Sequence, residues 1–226
     1  MSSEDKPKLV VDWCSHEAAK YAVMKWHYSK KMPIGKLVKI GVWESGKFCG
    51  AVIFSTGASA QLHKAFKLER EQVCELVRVA LDAHAWETSK IVSIAIKMLK
   101  RSNQGTLLIV SFADPEQEHI GTLYQAGNWV YIGRSSRGLY YRLPDGTLTH
   151  NRNMHGPVGS GGKRQPWDRG RHAAILKDGL KSGQIQKVET EPKYKYVYPL
   201  NTEIRDRVEL MRKPYPKRED IEASQA

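Results

Sequence analysis

The chain has 226 residues, 41% of them hydrophobic, and a formal net charge of +12. A chain of this length can bury one sizeable core and carry at most a small appendage. A run of 18 apolar residues is absent, which argues against a membrane-spanning helix and a membrane partner. Acidic residues without an apolar signal core at the N-terminus predict a cytoplasmic protein.

The positive charge is unevenly distributed along the chain. Residues 134–218 hold 19 Lys and Arg against 8 Asp and Glu, whereas residues 1–133 hold 17 against 13. A basic segment of this size favours a polyanionic partner, most often nucleic acid, although an acidic protein partner or a solvated surface would also explain it. The three scattered cysteines predict neither a disulfide framework nor a metal site of the CxxC kind.

The first half of the chain alternates helices with strands. Ser15 is placed to cap a helix that runs to about His27, and Ser45-Gly46 predicts the turn of an antiparallel hairpin. A further strand is predicted over 73–81, and Thr88 or Ser89 is placed to cap an amphipathic helix after it.

The segment SFADPEQEHIGTLYQAGNWVYIG, residues 111–133, follows a buried strand. Asp114 can cap a helix that begins at once, Gln117 occupies the capping-box position, and Gly127 is a suitable C-terminal stop. The spacing predicts a strand from Asn128 and one more in RGLYYRL, residues 137–143. Polar groups thus surround a strand end, where ligands often bind.

After residue 146 the character of the sequence changes. Residues 156–166 form a Gly-rich basic loop that we expect to be mobile. A short helix near 171–181, strands near 184–189 and 193–199, and a charged helix near 203–212 follow. The order predicts an α/β fold, a mixed sheet flanked by helices over residues 1–143, with a basic DNA-binding extension over 144–226.

Six short motifs follow one another along the chain. They are WHYS at 26–29, GVWE at 41–44, ELVRV at 75–79, ETSK at 87–90, SFAD at 111–114 and, more weakly, KYKYVYPL at 193–200. Together with Tyr124 and Trp129 they resemble the phage Mom family of DNA adenine modification proteins, and the order of elements is similar to the acyl-CoA-dependent N-acyltransferase (GNAT) fold.

The resemblance implies an enzyme that converts the exocyclic amine of adenine in double-stranded DNA to a methylcarbamoyl (acetamido) group. In the family this modification shields phage DNA from host restriction nucleases, so the compartment would be the host cytoplasm. The implied donor is acetyl-CoA, and a bound iron ion, Fe(II), has been linked to the family's chemistry.

Three residues are candidates for catalysis: Asp114, Tyr124 and Arg78. Tyr124 matches the tyrosine that protonates the departing thiolate in many acyltransferases of this fold, and a phenol suits that role. Arg78 can reach the donor from its strand or simply pair with Glu75 or another carboxylate. The Asp114 carboxylate can orient a reacting group, or it can serve only as the cap of the helix.

Cofactor binding is assigned to Arg78 and to the predicted helix start at Thr88 and Ser89, where N–H groups favour phosphate. The loop before it, DAHAWETS, departs from the fold's usual Gly-rich basic sequence. A metal would be held by His27 and Asp114, because imidazole and carboxylate both suit iron. Glu44 or His119 could complete that site.

DNA contacts are assigned to basic residues of the second half of the chain: Arg134, Arg137, Arg152, Lys163, Arg164 and Arg171. An extruded adenine would stack on aromatic walls. The candidates for these walls are Trp26, Tyr28, Trp43 and Trp129.

Two other functions remain open. One is an N-acetyltransferase acting on RNA or protein. The other is a non-catalytic DNA-binding protein with a degenerate GNAT fold.

Overall fold

A computed structural model describes residues 6–33, 35–56, 61–146, 148–150 and 166–219. The side chains of residues 149–150 and 166–173 lie outside that description, as do Arg152, Lys163 and Arg164 and nearly all of the predicted Gly-rich loop.

The described residues form strands and helices in the following order. The strands are β1 Leu9–Trp13, β2 Leu37–Glu44, β3 Lys47–Ser55, β4 Val73–Leu81, β5 Leu108–Ala113, β6 Val130–Arg134, β7 Gly138–Arg142, β8 Leu148–His150, β9 Gln186–Thr190 and β10 Tyr194–Pro199. The α-helices are α1 His16–Trp26, α2 Thr88–Ser102, α3 Thr122–Ala126, α4 Pro166–Ser182 and α5 Thr202–Glu209.

Seven strands form one mixed sheet in the order β1-β2-β3-β4-β5-β10-β6. The neighbouring pairs from β1 to β4 are antiparallel, β4 and β5 are parallel, and β5 and β10 are antiparallel. Helix α2 covers one face of this sheet together with α3. Helices α1 and α5 cover the other face, against β3 and β10 respectively. The predicted α/β class, a mixed sheet flanked by helices, is therefore confirmed.

By its internal contacts the chain divides into two compact units. The first comprises Met1–Ala113, His119–Gly133 and Tyr194–Ala226, and the second comprises Asp114–Glu118 and Arg134–Lys193. The second unit contains a separate antiparallel sheet in the order β8-β7-β9. Among the described residues, no helix is long and apolar enough to cross a bilayer.

The compact units do not follow the predicted boundary at residue 143. Strand β10 lies in the large sheet, where Tyr194, Tyr196 and Tyr198 pair with Ala113, Ser111 and Ile109 of β5. The alternating tyrosines of KYKYVYPL point to one face of the sheet, and Tyr194 and Tyr196 are almost fully buried there. The C-terminal segment thus completes the first unit's core.

The segment after Asp114 differs from the predicted single helix. It forms a 3₁₀ turn over Pro115–Gln117, and α3 begins only at Thr122. Glu118 and Gly121 have positive φ angles of 56° and 86°, which a right-handed helix cannot contain. The Gln117 side-chain amide donates to the Glu116 carbonyl, so Gln117 does not form the predicted capping box. Strand β1 was not predicted from the sequence.

Gly121 sets the start of α3. A Cβ atom there would lie 2.3 Å from the Tyr196 ring, and the φ of 86° disfavours any side chain. We predict that Gly121→Ala lowers the free energy of unfolding by about 2–4 kcal/mol. Urea denaturation measures this, with Gly105→Ala as the control, since a Cβ at Gly105 meets nothing within 4 Å. Equal losses in both variants would contradict the prediction.

Candidate active site

Strands β4 and β5 part in the middle of the large sheet. They pair only at Val73, Cys74 and Glu75 of β4, whereas β4 continues to Leu81. On its other side β4 has a β-bulge at Val77, because the pairing with β3 passes from Leu76 directly to Arg78. A bulge bends its strand, and bulges are frequent beside active sites. The result is an opening between β4 and β5 beyond Glu75, where their pairing ends.

The Ser111 hydroxyl lies at the narrow end of this opening. Its Oγ donates to the Leu76 carbonyl oxygen at 2.8 Å and lies 2.7 Å from the Tyr124 hydroxyl. A carbonyl can only accept, so the single proton of Ser111 is directed to Leu76 and the Tyr124 hydroxyl is the donor to Ser111. The chain Tyr124–Ser111–Leu76 therefore joins α3, β5 and β4 just where the strands separate.

Tyr124 is held in place by packing as well as by this hydrogen bond. Its ring lies with its centroid 5.0 Å from those of both Trp129 and Tyr196. Burial raises the pKa of Tyr124 to about 12. The phenol consequently keeps its proton at neutral pH, which makes it a proton donor rather than a base.

Arg78 holds the loop that follows α1. Its guanidinium donates to the Lys31 carbonyl through Nε and Nη2, at 3.2 and 3.1 Å, and to the Val77 carbonyl at 2.7 Å. Burial lowers the pKa of Arg78, while the charge of Glu75 raises it. Glu75 also adds to the raised pKa of Tyr124, which burial mainly causes. It is the last residue of β4 that pairs with β5, opposite Val110.

The same loop carries His27, which is 8% exposed. The Ser29 backbone N–H donates to its Nδ1 at 3.1 Å, so the neutral ring carries its proton on Nε2. Burial lowers the pKa of His27 to about 4, and the positive charges of Arg78, His119 and Lys30 contribute. The imidazole is therefore neutral at physiological pH. Its ring lies 4.3 Å from that of Tyr28, which in turn meets His119 edge-on at 5.9 Å.

The predicted cofactor residues Thr88 and Ser89 are helical rather than capping. Glu87 is the N-cap of α2, and no side-chain hydrogen bond caps the helix, so the predicted capping by a hydroxyl is wrong. Thr88 Oγ1 lies 3.4 Å from His84 Nε2. The N–H groups of Ala85 and Trp86 bind the Glu44 carboxylate. A diphosphate therefore does not fit this loop as the structure has it.

Asp114 has the capping role predicted for it, but at a 3₁₀ turn. Its Oδ1 accepts from the Glu116 N–H at 3.2 Å, and its Oδ2 forms an ion pair with the Lys193 ammonium at 2.5 Å. Asp114 belongs to the second compact unit and His27 to the first. Within the described ranges, no group of three His, Cys, Asp or Glu side chains could hold a metal ion. The described residues therefore do not fit an iron site.

The predicted nucleic-acid contacts are only partly described. Arg137 makes a long ion pair with Glu191 at 3.8 Å, and Arg134 is the last residue of β6. Arg171 lies in α4, but its side chain is outside the described part.

Among the aromatic residues predicted to stack on an extruded adenine, Trp129 belongs to the hydrophobic core, at 1% exposure. Trp26 and Trp43 both pack against Phe48. Tyr28 is 48% exposed beside His27 and His119.

Two residues of the site, Glu75 and Ser111, have no catalytic role in the sequence predictions, and Lys193, the partner of Asp114 in the second unit, has no predicted role. The sequence indicates Glu75 only as a partner for Arg78, which follows it by three residues in ELVRV. Ser111 opens the SFAD motif at the end of a buried strand, a position where a polar side chain is informative. Lys193 lies 79 residues from Asp114, and no sequence pattern indicates that they pair.

The buried neutral His27 predicts a pH-dependent stability. Its pKa is about 4 when folded and about 6.5 when unfolded, so between these values only the unfolded chain binds the proton. Stability should fall as the pH drops from 6.5 to 4, by about 3 kcal/mol from this group. Urea denaturation of the protein and of His27→Gln at pH 7 and pH 4 measures the difference. If both lose stability equally, His27 does not carry the effect.

Comparison with known proteins identifies the family. The chain is 25% identical over 217 residues to "Methylcarbamoylase mom" of Escherichia phage Mu, covering 93% of this chain and 84% of that protein. A tandem GNAT protein from the clavulanic acid biosynthesis pathway is 10% identical, with 86% of this chain and 76% of that chain covered, at a TM-score of 0.36. The sequence model of the Mom protein family matches residues 8–217, and the chain therefore belongs to the Mom family.

Proposed function

We propose that this protein modifies the exocyclic amine of adenine in double-stranded DNA to a methylcarbamoyl-type group, and thereby protects phage DNA from host restriction. The family and the name of the phage Mu relative support this proposal. The observation that carries it is the protonated Tyr124 phenol, fixed by Ser111 at the opening between β4 and β5. A proton donor at a strand opening is what a transfer reaction needs for its leaving group.

Transfer to an amine also requires that the amine lose a proton. In transfer from acetyl-CoA the new bond forms between the adenine nitrogen and the acetyl carbonyl carbon, the bond from that carbon to the CoA sulfur breaks, and one proton moves at each end. This step alone gives N-acetyladenine. A methylcarbamoyl-type group requires in addition a nitrogen-donating co-substrate and a two-electron oxidant, and the roles assigned here concern the transfer step. We assign Glu75 as the acceptor of the amine proton, because it is the last residue of β4 that pairs with β5, opposite Val110, where the opening begins. Tyr124 supplies the proton to the leaving group. Arg78 positions the loop of His27 and Tyr28 through the Lys31 carbonyl.

Acetyl-CoA is the donor that we propose from the family resemblance. The opening between β4 and β5 suits a narrow acyl-bearing arm, since the strands cease to pair beyond Glu75. The diphosphate of CoA does not fit the loop before α2, and the described residues do not fit Fe(II). The reaction steps assigned above therefore involve only the protein's own side chains. Asp114 remains a catalytic candidate, with a carboxylate already paired to Lys193.

DNA is the substrate that the charge distribution favours. Residues 134–218 are strongly basic. Contacts with DNA phosphates require only positively charged side chains that are long enough to reach them. The exocyclic amine of an adenine is inaccessible inside a duplex, so the base has to be extruded from the helix before it reacts. Tyr28 is a suitable platform for an extruded base, because its ring is half exposed beside His27.

Nucleoside mass spectrometry on co-expressed plasmid DNA tests the proposal. We predict a modified deoxyadenosine with the wild-type protein and a loss of about 10²–10⁴-fold in its yield per unit time with Tyr124→Phe. Tyr21→Phe is the matched control, because Tyr21 lies half exposed on α1 and its hydroxyl accepts a hydrogen bond from the Lys25 ammonium. That variant should keep the wild-type yield.

Ordinary nucleosides alone, from DNA expressed with a folded wild-type protein, would contradict the proposal. Acetylated RNA or protein in the same cells would favour the N-acetyltransferase alternative instead. Salt-dependent DNA binding without any product would favour a binding protein that lacks catalysis.

A further inference from the structure

The loop between β4 and α2, residues 82–87, occupies a place where α/β proteins commonly bind anions. A strand ends there and a helix begins, so backbone N–H groups and the helix dipole both favour negative charge. In this chain that loop contains Asp82 and Glu87 but neither Lys nor Arg.

An internal carboxylate already binds the N–H groups of this loop. Glu44, the last residue of β2, accepts from the Ala85 N–H with both oxygens at 2.9 Å and from the Trp86 N–H at 3.0 Å. This is the geometry of a bound oxyanion, with two oxygens facing consecutive backbone donors. The carboxylate comes from the end of β2, which β3 separates from β4 in the sheet, and Glu44 lies 41 residues before Ala85 in the sequence.

Other contacts fix the loop in this arrangement. The Trp86 indole donates to the Pro7 carbonyl at 2.7 Å, and Lys6 forms an ion pair with Glu87 at 2.5 Å. His84 Nδ1 lies 2.5 Å from the Trp86 carbonyl oxygen. The loop is therefore held from two sides, by Glu44 and by the segment that precedes β1.

The N–H groups of the loop are already occupied by an anion. The Asp82 N–H, at the start of the loop, donates to the Cys49 carbonyl of β3 at 2.8 Å, and the Ala85 and Trp86 N–H groups donate to Glu44. A diphosphate at the loop would therefore have to displace the Glu44 carboxylate from these N–H groups.

We infer that Glu44 is an internal anion that fills the phosphate-binding position of the β4–α2 loop, so that the donor is selected by its acyl-bearing arm and not by a diphosphate held there. The inference rests on the proposed function for the existence of a donor. It makes Glu44 a specificity-determining residue, and it explains why the loop lacks the glycine and cationic residues that a phosphate site requires.

Backbone amide NMR with inorganic pyrophosphate as the probe tests the inference. In the wild-type protein, millimolar pyrophosphate should leave the Ala85 and Trp86 amide signals in place. Glu44→Ala should free these amides and increase the pyrophosphate affinity by about tenfold or more, seen as saturable shifts of the same signals. Glu44→Gln removes the charge but keeps an oxygen acceptor, so it should gain less than Glu44→Ala and also serves if that variant folds poorly.

Saturable shifts of the wild-type Ala85 and Trp86 signals would overturn the inference. So would Glu44 variants that fold but gain no affinity, since Glu44 would then only stabilise the loop.

A comparison of donors separates this inference from the proposed function. If acetyl-CoA is used, acetylpantetheine, which lacks the diphosphate, should support modification of DNA within about threefold of the same kcat/KM. A large advantage of acetyl-CoA that depends on the loop would overturn the inference. If neither compound supports modification, the proposed donor fails, and the amide signals still decide the role of Glu44.

Discussion

The separation of β4 from β5 after three paired residues is the constraint on which the candidate site depends. A sheet that opens in this way exposes backbone groups that need partners, because an unpaired polar group inside a protein is costly. The Ser111 hydroxyl supplies one partner by donating to Leu76, and the same oxygen accepts the Tyr124 proton. A single serine thus both closes the narrow end of the opening and orients the proposed proton donor. The Val77 bulge maintains the bend, and Arg78 binds the carbonyl oxygen that the bulge presents.

The aromatic packing around Tyr124 comes from distant parts of the sequence. Tyr196 is contributed by β10, which inserts between β5 and β6, and its hydroxyl donates to the Ile120 carbonyl at 2.5 Å. Helix α3 has only five residues, too few to be stable without such tertiary contacts. The position of Tyr124 consequently depends on a C-terminal strand that the sequence alone associated with a separate extension. Loss of β10 would remove the tyrosines against which α3 packs and the strand that pairs with β5 on the side away from β4.

Local patterns predicted the elements well where they were strong. The Ser45-Gly46 turn between two strand-like segments indicated the hairpin, and the apolar spacing of 88–102 indicated α2. The parts that failed depend on tertiary contacts. The helix predicted after Asp114 is interrupted by positive φ angles at Glu118 and Gly121, and Gly121 lies against Tyr196. In the site, Tyr124 and Arg78 could be chosen from their motifs. The contacts of Glu44 with the 82–87 loop and of Asp114 with Lys193 join residues that no spacing rule connects.

A double-mutant cycle on Ser111 and Tyr124 tests the central claim most directly. The rate of adenine modification would be measured for the wild-type protein, Ser111→Ala, Tyr124→Phe and the double variant, each checked for its fold by denaturation. If Ser111 acts through the Tyr124 hydroxyl, the double variant should be slower than Tyr124→Phe by no more than about twofold. Effects that multiply would contradict the account, because Ser111 and Tyr124 would then contribute independently.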